Sequence, residues 1–340
     1  MKLLFLSHHW SNNSHHSLHS GFQRLVHFAA ADNEVTLVTW APRDQDYMDG
    51  PIRVVTVKTG RRDFLFQKRI AISRKGAQLA PAFDAVHALY EDCTFALAPK
   101  TYTVTFHVLP GVVRYNQLKQ RLFIFLKYRI LQRKALRNAT NIACVSTNLL
   151  QAVPQPYRNK ARFIPHGIDT DFWDPALAAN AAANTADYIL YVGAHGLDRE
   201  LLTEFIRANP TRQFIIVGLK QQLEPHSNTK YLYNISDEDL RDLYAGAALF
   251  IRPLHFATAN NSVLEALSMG RTILASRIPG ITDYLTDKTA IFIDTLKDRS
   301  LDHIPTLNPA FIRQTAIASF SWRTVLTDYS TLYDQQHSHA

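Results

Sequence analysis

Short apolar runs separated by polar, helix-forming stretches organise most of this chain. Near-continuous Val, Leu, Ile and aromatic segments at Leu3–Ser7, Val35–Trp40, Val54–Thr59, Ala85–Tyr90, Tyr102–His107 and Asn141–Ser146 read as strands. Strands without a polar face are those of a sheet covered by helices on both sides. The second half repeats the scheme at Tyr188–Gly193, Gln213–Gly218, Leu249–Arg252, Thr272–Ser276 and Ile291–Asp294. Helical intervals between such strands predict crossover connections, and hence an α/β fold of parallel, doubly wound, Rossmann-like sheets. A chain of 340 residues exceeds one ordinary core, so two domains are expected, 1–173 and 174–340. The Ala- and Asn-rich residues 176–186 lack apolar periodicity and read as a linker.

Within that frame a few stretches carry chemistry. Ser236 reads as an N-cap, with Asp237, Glu238 and Asp239 filling the positive first turn of a helix. The strand ending at Arg252 breaks at Pro253 into a polar loop. A helix then opens around Asn261 and Ser262, and Gly270 ends it. A helix start fed by Asn260, Asn261 and Ser262 offers free backbone N–H groups, a physical solution for holding phosphate oxygens. One turn further, Glu265 can accept two hydroxyl hydrogen bonds, as a ribose supplies. Arg252 points to the same end of the sheet as a second phosphate contact.

Charge is unevenly placed. Residues 1–173 carry 23 Lys and Arg against 11 Asp and Glu, and residues 174–340 carry 14 against 18. A basic first half suggests that it meets an anionic surface or acceptor. No nucleic-acid motif accompanies the basic residues. Lys119 to Arg137 concentrates seven of them among Leu, Ile, Phe and Tyr, a candidate membrane contact. The run Ser7 to Ser20 holds five histidines but no acidic partner and no ligand spacing, and reads as a polar lid, not a metal site. Cys93 and Cys144 lack metal-ligand spacing, and a reducing cytoplasm is the simplest setting. No apolar run is long enough to span a membrane, and the N-terminal run is too short for a secretory signal.

Pro253 to Gly270 resembles the donor-site motif of GT-B glycosyltransferases, particularly the retaining family 4. That motif carries two glutamates separated by seven residues, with Gly-Phe-Gly after the first. Here Glu265 matches the second, while Ala257, Thr258 and Asn260 stand where the first glutamate and the two glycines belong. Tyr191-Val-Gly193 with Arg199 is similar to the family's Tyr-Val-Gly-Arg…Lys-Gly, with Arg199 for the lysine. Gly21 before Phe22 resembles the glycine loop beneath the donor diphosphate. Thr105-Phe-His107 resembles the histidine beside the transferred sugar. Pro165-His-Gly-Ile-Asp169 resembles the inter-domain turn, with Gly167 allowing the bend. Phe320 to Tyr333 resembles the terminal helix (about 320–336) that returns to the first domain.

The resemblance implies two Rossmann-like domains facing across a cleft and a hexosyltransferase-type enzyme of polysaccharide or cell-envelope biosynthesis. The donor is a nucleoside diphosphate sugar and the acceptor a lipid-linked or glycan hydroxyl. Retention follows from the family, without cofactor or essential metal, at the inner face of the membrane or in the cytoplasm. Donor contacts fall on Gly21, Arg199, Arg252, Asn260, Asn261, Ser262 and Glu265, with His107 as the catalytic side chain. Two alternatives remain: a GT-B nucleotide-sugar epimerase and a nucleotide-sugar-binding subunit that is non-catalytic. A Rossmann dehydrogenase is disfavoured because no Gly-x-Gly-x-x-Gly follows a strand.

Overall fold

A computed structural model describes residues 1–10, 21–60, 66–109, 122, 125–179, 187–220, 223 and 226–337. The expected linker from 180 to 186, the histidines at 15, 16 and 19, and Lys119 and Arg121 lie outside these residues. The described chain forms two compact units. Among the described residues, one contains 1–10, those from Phe22 to His166 and those from Val325 onward; the other contains Gly21 and Gly167–Thr324. The division thus falls ahead of the expected 173.

In the first unit, β1 (Lys2–Leu6) lies between β2 (Glu34–Ala41) and β5 (Ala85–Ala88), pairing both in parallel. Beyond β2 come β4 (Ile52–Lys58) and the antiparallel β3 (Gln45–Asp49). Beyond β5 come β6 (Thr103–Phe106), β7 (Asn141–Cys144) and β8 (Ala161–Phe163), all parallel. The polar edge strand β3 was not legible as an apolar run. It is fastened by Arg53, whose guanidinium donates to both oxygens of Asp46 at 2.9 and 2.7 Å. Helices α1 (Phe22–Ala29) and α2 (Gln67–Leu79) follow β1 and β4, and α3 (Arg133–Asn138) and α4 (Thr147–Ala152) flank β7.

The second unit holds six parallel strands in the order β11-β10-β9-β12-β13-β14. They are β9 (Tyr188–Val192), β10 (Gln213–Val217), β11 (Thr229–Leu232), β12 (Leu249–Arg252), β13 (Ile273–Ala275) and β14 (Ala290–Phe292). Consecutive residues feed opposite cores. Leu190 and Phe250 join one cluster, while Ile189, Tyr191, Leu249 and Ile251 join the other. Both faces are therefore covered, which explains the unbroken apolar runs. The helices are α5 (Arg199–Ala208), α6 (Asp237–Gly246), α7 (Asn261–Ser268), α8 (Pro309–Phe320) and α9 (Trp322–His337). Ser236 caps α6 as expected, its hydroxyl accepting from Asp239 N at 3.0 Å.

Gly167 has a role other than the one anticipated. Its φ is not positive; the missing side chain instead lets the Trp322 ring approach, since a Cβ would lie 2.3 Å from that ring. Ile168 then pairs with the start of α9, accepting from Trp322 N at 3.1 Å. Beyond Val325 the helix belongs to the first unit. His87 Nδ1 meets the Tyr333 hydroxyl and Nε2 meets Thr105 Oγ1, each at 2.8 Å, and Thr105 Oγ1 meets the Tyr329 hydroxyl at 3.1 Å. Gln336 accepts from Val86 N and donates to Thr103 Oγ1.

Complete burial, helped by nearby His107, holds the His87 imidazole down to about 3. The unfolded chain binds a proton near pH 6.5 that the folded chain refuses. Stability from His87 is therefore full above pH 6.5 and is lost as pH falls toward 3. Urea unfolding between pH 7 and 5 will show stability falling by up to about 1.4 kcal/mol per pH unit from this one group. His87→Phe will flatten that part of the slope.

Candidate active site

In a doubly wound sheet, ligands gather at the carboxyl ends of the strands where the order reverses. In the second unit this point lies between β9 and β12. The loops leaving these strands are zipped together. Asp198 N donates to Pro253 O at 3.1 Å, His255 N donates to Gly196 O at 2.9 Å, and Leu197 bridges Leu254. Gly196 (φ +70°) permits this contact, because a Cβ there would lie 2.4 Å from the Phe256 carbonyl.

Arg252 ends β12 at this point and is 2% exposed. Its Nη1 donates to the Tyr191 hydroxyl and its Nη2 to His195 O at 3.1 Å. Its buried Nε has no hydrogen-bond partner, and no carboxylate pairs with the guanidinium among the described residues. Arg199, half-buried, opens α5 behind its cap Asp198. Burial raises the Tyr191 phenol, and Arg252 and then Arg199 pull it back. Both expected arginines thus act on Tyr191, the first residue of the Tyr-Val-Gly stretch.

The start of α7 is spent partly on itself. Asn260 is its cap, and its Oδ1 accepts from Ser262 Oγ at 2.6 Å and Val263 N at 3.3 Å. Asn260, expected as a donor contact, thus spends its side-chain oxygen on the cap; the expectation for Asn261 and Ser262 rested on their backbone amides. Glu265 is 3% exposed, and its Oε2 accepts from the Tyr244 hydroxyl at 2.8 Å. Burial and the carboxylate push that phenol far above its usual range. One of the two oxygens assigned to ribose hydroxyls already holds a tyrosine proton. Ala257, in place of the family glutamate, is buried in the apolar core, with Gly280 pressed against its carbonyl.

In the first unit the order reverses at β1 and β5. His107 follows β6; its Nε2 lies 3.0 Å from Leu89 O, so Nε2 carries the proton. Burial lowers the imidazole pKa, opposed by Glu91. The ring stacks on Tyr90 (4.7 Å) and meets Phe22 edge-on (4.9 Å). Gly21 directly precedes Phe22 and α1. His107, expected as the catalytic side chain, thus has its Nε2 donor engaged, and Nδ1 is the atom able to accept from a hydroxyl.

Sequence reasoning missed the charge cluster beside it. Glu91 and Asp92 are each 1% exposed. Glu91 Oε1 accepts from Lys127 Nζ and Gln132 Nε2, both at 2.9 Å, and its Oε2 from His107 N at 3.2 Å. Asp92 Oδ2 accepts from Arg69 Nε at 2.7 Å and lies 3.1 Å from Lys127 Nζ. Burial pushes both carboxyls up, but Lys127 and its neighbours outweigh it and hold them below the usual range. The available signal was two adjacent acids directly after an apolar strand. Lys127 was assigned to the candidate membrane contact; instead it points inward, and exposed Leu122, Phe125, Leu126 and Ile130 point out. A π-helical turn, Tyr128–Gln132, interrupts the helical register there.

Lys127→Met leaves the two carboxylates short of a counter-charge. It should cost about 3–5 kcal/mol at pH 7 by urea unfolding. The variant's carboxyls titrate above their unfolded values, so its deficit should narrow as pH falls toward 5. A constant deficit would show that the pair is not ionised.

Comparison with known proteins agrees with this architecture. The model of glycosyltransferase family 4 matches residues 24–172, and that of glycosyl transferases group 1 matches residues 186–301. One component of the phosphatidylinositol N-acetylglucosaminyltransferase of Arabidopsis thaliana is 21% identical over 197 residues, 52% of this chain and 44% of that protein. The match thus spans under half of the curated relative's length. Among solved structures, sucrose-phosphate synthase from Thermosynechococcus elongatus superposes with a TM-score of 0.71 at 17% identity, covering 100% of both chains. Anabaena HepE in complex with UDP-glucose gives 0.64 at 14% identity, covering 98% of this chain and 100% of that one. The chain belongs to the GT-B glycosyltransferases, and family 4 fits both of its matched segments.

Proposed function

We propose that the protein transfers a sugar from a nucleoside diphosphate sugar to a hydroxyl of a lipid-linked or glycan acceptor, with retention. The observation that carries this reading is Arg252, a buried cation without a carboxylate partner among the described residues, at the reversal point of the second sheet. A diphosphate supplies the missing charge, and the Asn261 and Ser262 amides add donors at the start of α7. Arg199 adds a second cation, and Glu265 accepts from a ribose hydroxyl beside its contact with Tyr244. Charge that builds on the departing diphosphate is met by groups already in place. His107, in the first unit, is the catalytic side chain of this proposal, its Nδ1 able to accept a hydrogen bond from a hydroxyl. The similarity to HepE, whose structure contains UDP-glucose, supports this donor class.

Ala257 favours a second reading, a nucleotide-sugar-binding subunit without turnover, since an apolar core surrounds the position of the absent glutamate. UDP release from UDP-glucose, assayed with and without hydroxyl acceptors, separates the two. Release without an acceptor-derived product indicates hydrolysis, and a changed sugar alone indicates an epimerase.

Arg252→Met is expected to weaken UDP binding by about 1.5–3 kcal/mol in calorimetry while leaving stability equal or higher, because it removes a buried cation. Glu265→Ala should weaken it similarly and exposed Glu200→Ala should not. His107→Ala should keep affinity and lose turnover. Equal UDP affinity in all variants would place the nucleotide elsewhere.

The outward Phe125, Leu126 and Ile130, with exposed Arg129, Arg133 and Arg137, support contact with an anionic membrane that presents the acceptor. No described helix is long and apolar enough to cross a membrane. Phe125→Asp together with Arg129→Glu should abolish sedimentation with phosphatidylglycerol liposomes; undiminished sedimentation would refute this contact.

A further inference from the structure

At the reversal point of the first sheet, three side chains of different chemistry converge. His8 follows β1, and Asp92 and Cys93 follow β5. His8 Nδ1 lies 3.2 Å from Asp92 Oδ1 and 3.6 Å from Cys93 Sγ, and Sγ lies 3.7 Å from Oδ1. These separations match the edges of a coordination tetrahedron. With bonds of about 2.0–2.3 Å to nitrogen, oxygen and sulfur, ligand atoms on a tetrahedral zinc lie roughly 3.3–3.7 Å apart. We propose that His8 Nδ1, Asp92 Oδ1 and Cys93 Sγ bind a zinc ion, with a water or a ligand hydroxyl in the fourth place.

The surroundings favour this arrangement over a chance meeting. Asp92 presents Oδ1 to the trio while its Oδ2 is fixed by Arg69 at 2.7 Å and Lys127 at 3.1 Å. A metal-bound carboxylate whose second oxygen is hydrogen-bonded is held in orientation. Cys93 and Asp92 are buried and the His8 side chain is 10% exposed, so little water competes. A thiolate with an imidazole selects zinc over magnesium or calcium. Arg69 and Lys127 already balance Glu91 and Asp92, so the charge of the zinc ion itself offsets the anionic thiolate. On binding, the Cys93 thiol proton passes to solvent as the Zn–S bond forms, and the His8 proton resides on Nε2 while Nδ1 binds zinc. The ion would tie the ends of β1 and β5 together beneath His9 and Tyr90, whose rings pack on His8 at 4.1 and 4.6 Å.

The absence of an acidic residue within the histidine run spoke against a metal there. The fold supplies one from 84 positions further along the chain, together with a sulfur. Zinc binding at this trio is independent of the proposed glycosyl transfer.

The test uses cobalt(II) and zinc(II) with the full-length protein, free of added histidine tags and stripped with a chelator. Cobalt should bind at one equivalent per chain and give the intense near-ultraviolet band of thiolate coordination. Zinc should displace it and raise the melting temperature. Cys93→Ser and Cys93→Ala should lose the band, and His8→Ala should weaken cobalt binding by at least about tenfold, whereas His303→Ala should change nothing. A wild-type protein without the thiolate band overturns the site whatever the variants do. A band that persists without Cys93, or affinity unchanged by His8→Ala, also overturns it.

Discussion

Burying a guanidinium away from any carboxylate is costly, and a fold carries such a group only where something else compensates. Arg252 donates to the Tyr191 hydroxyl and the His195 carbonyl, while its Nε has no partner and no carboxylate among the described residues matches its charge. Much of the second unit can be understood from this constraint. The loops after β9 and β12 are clasped together so that the His195 carbonyl reaches the arginine. Gly193 and Gly196 both take positive φ, and a Cβ at Gly193 would approach Nη2 to 3.4 Å. The uncompensated charge then sits where a parallel sheet leaves room for a ligand.

The first unit handles buried charge in the opposite way. Glu91 and Asp92 face Lys127 and Arg69, and Gln132 and a backbone amide take remaining acceptor positions. That cluster is balanced internally and braces the neighbourhood of His107. The contrast distinguishes a scaffold from a binding site: the same burial occurs with compensation in one sheet and without it in the other. It also explains why the helix through Lys127 presents apolar side chains outward, since its inward positions serve the two acids.

Much of the fold was legible because strands covered on both faces announce themselves as apolar runs, as in Leu249–Arg252 and Asn141–Cys144. Local signals succeeded too: Ser236 caps a helix with a side chain only three residues from the amide it meets. What escaped lay in pairings between distant residues or in polar edges. Edge strand β3 has no apolar run. Arg252 and Tyr191 are 61 residues apart, and Glu91 and Lys127 are 36 apart. Tyr244 meets Glu265 across 21 positions, a pairing that nothing local revealed. Gly167 read as a hinge, whereas its need comes from a tryptophan brought by the far end of the chain.

The departure at Ala257 acquires a physical meaning from the packing. A carboxylate there would meet an apolar cluster. Under the proposed function, recognition of a donor would then rest on diphosphate and ribose contacts, with Arg252 at their centre. A crystal structure with UDP-glucose bound examines this most directly. The account predicts a phosphate oxygen within hydrogen-bonding distance of Arg252 and of the Asn261 or Ser262 amide. A diphosphate seated away from Arg252, with that guanidinium still lacking an anion, would contradict it.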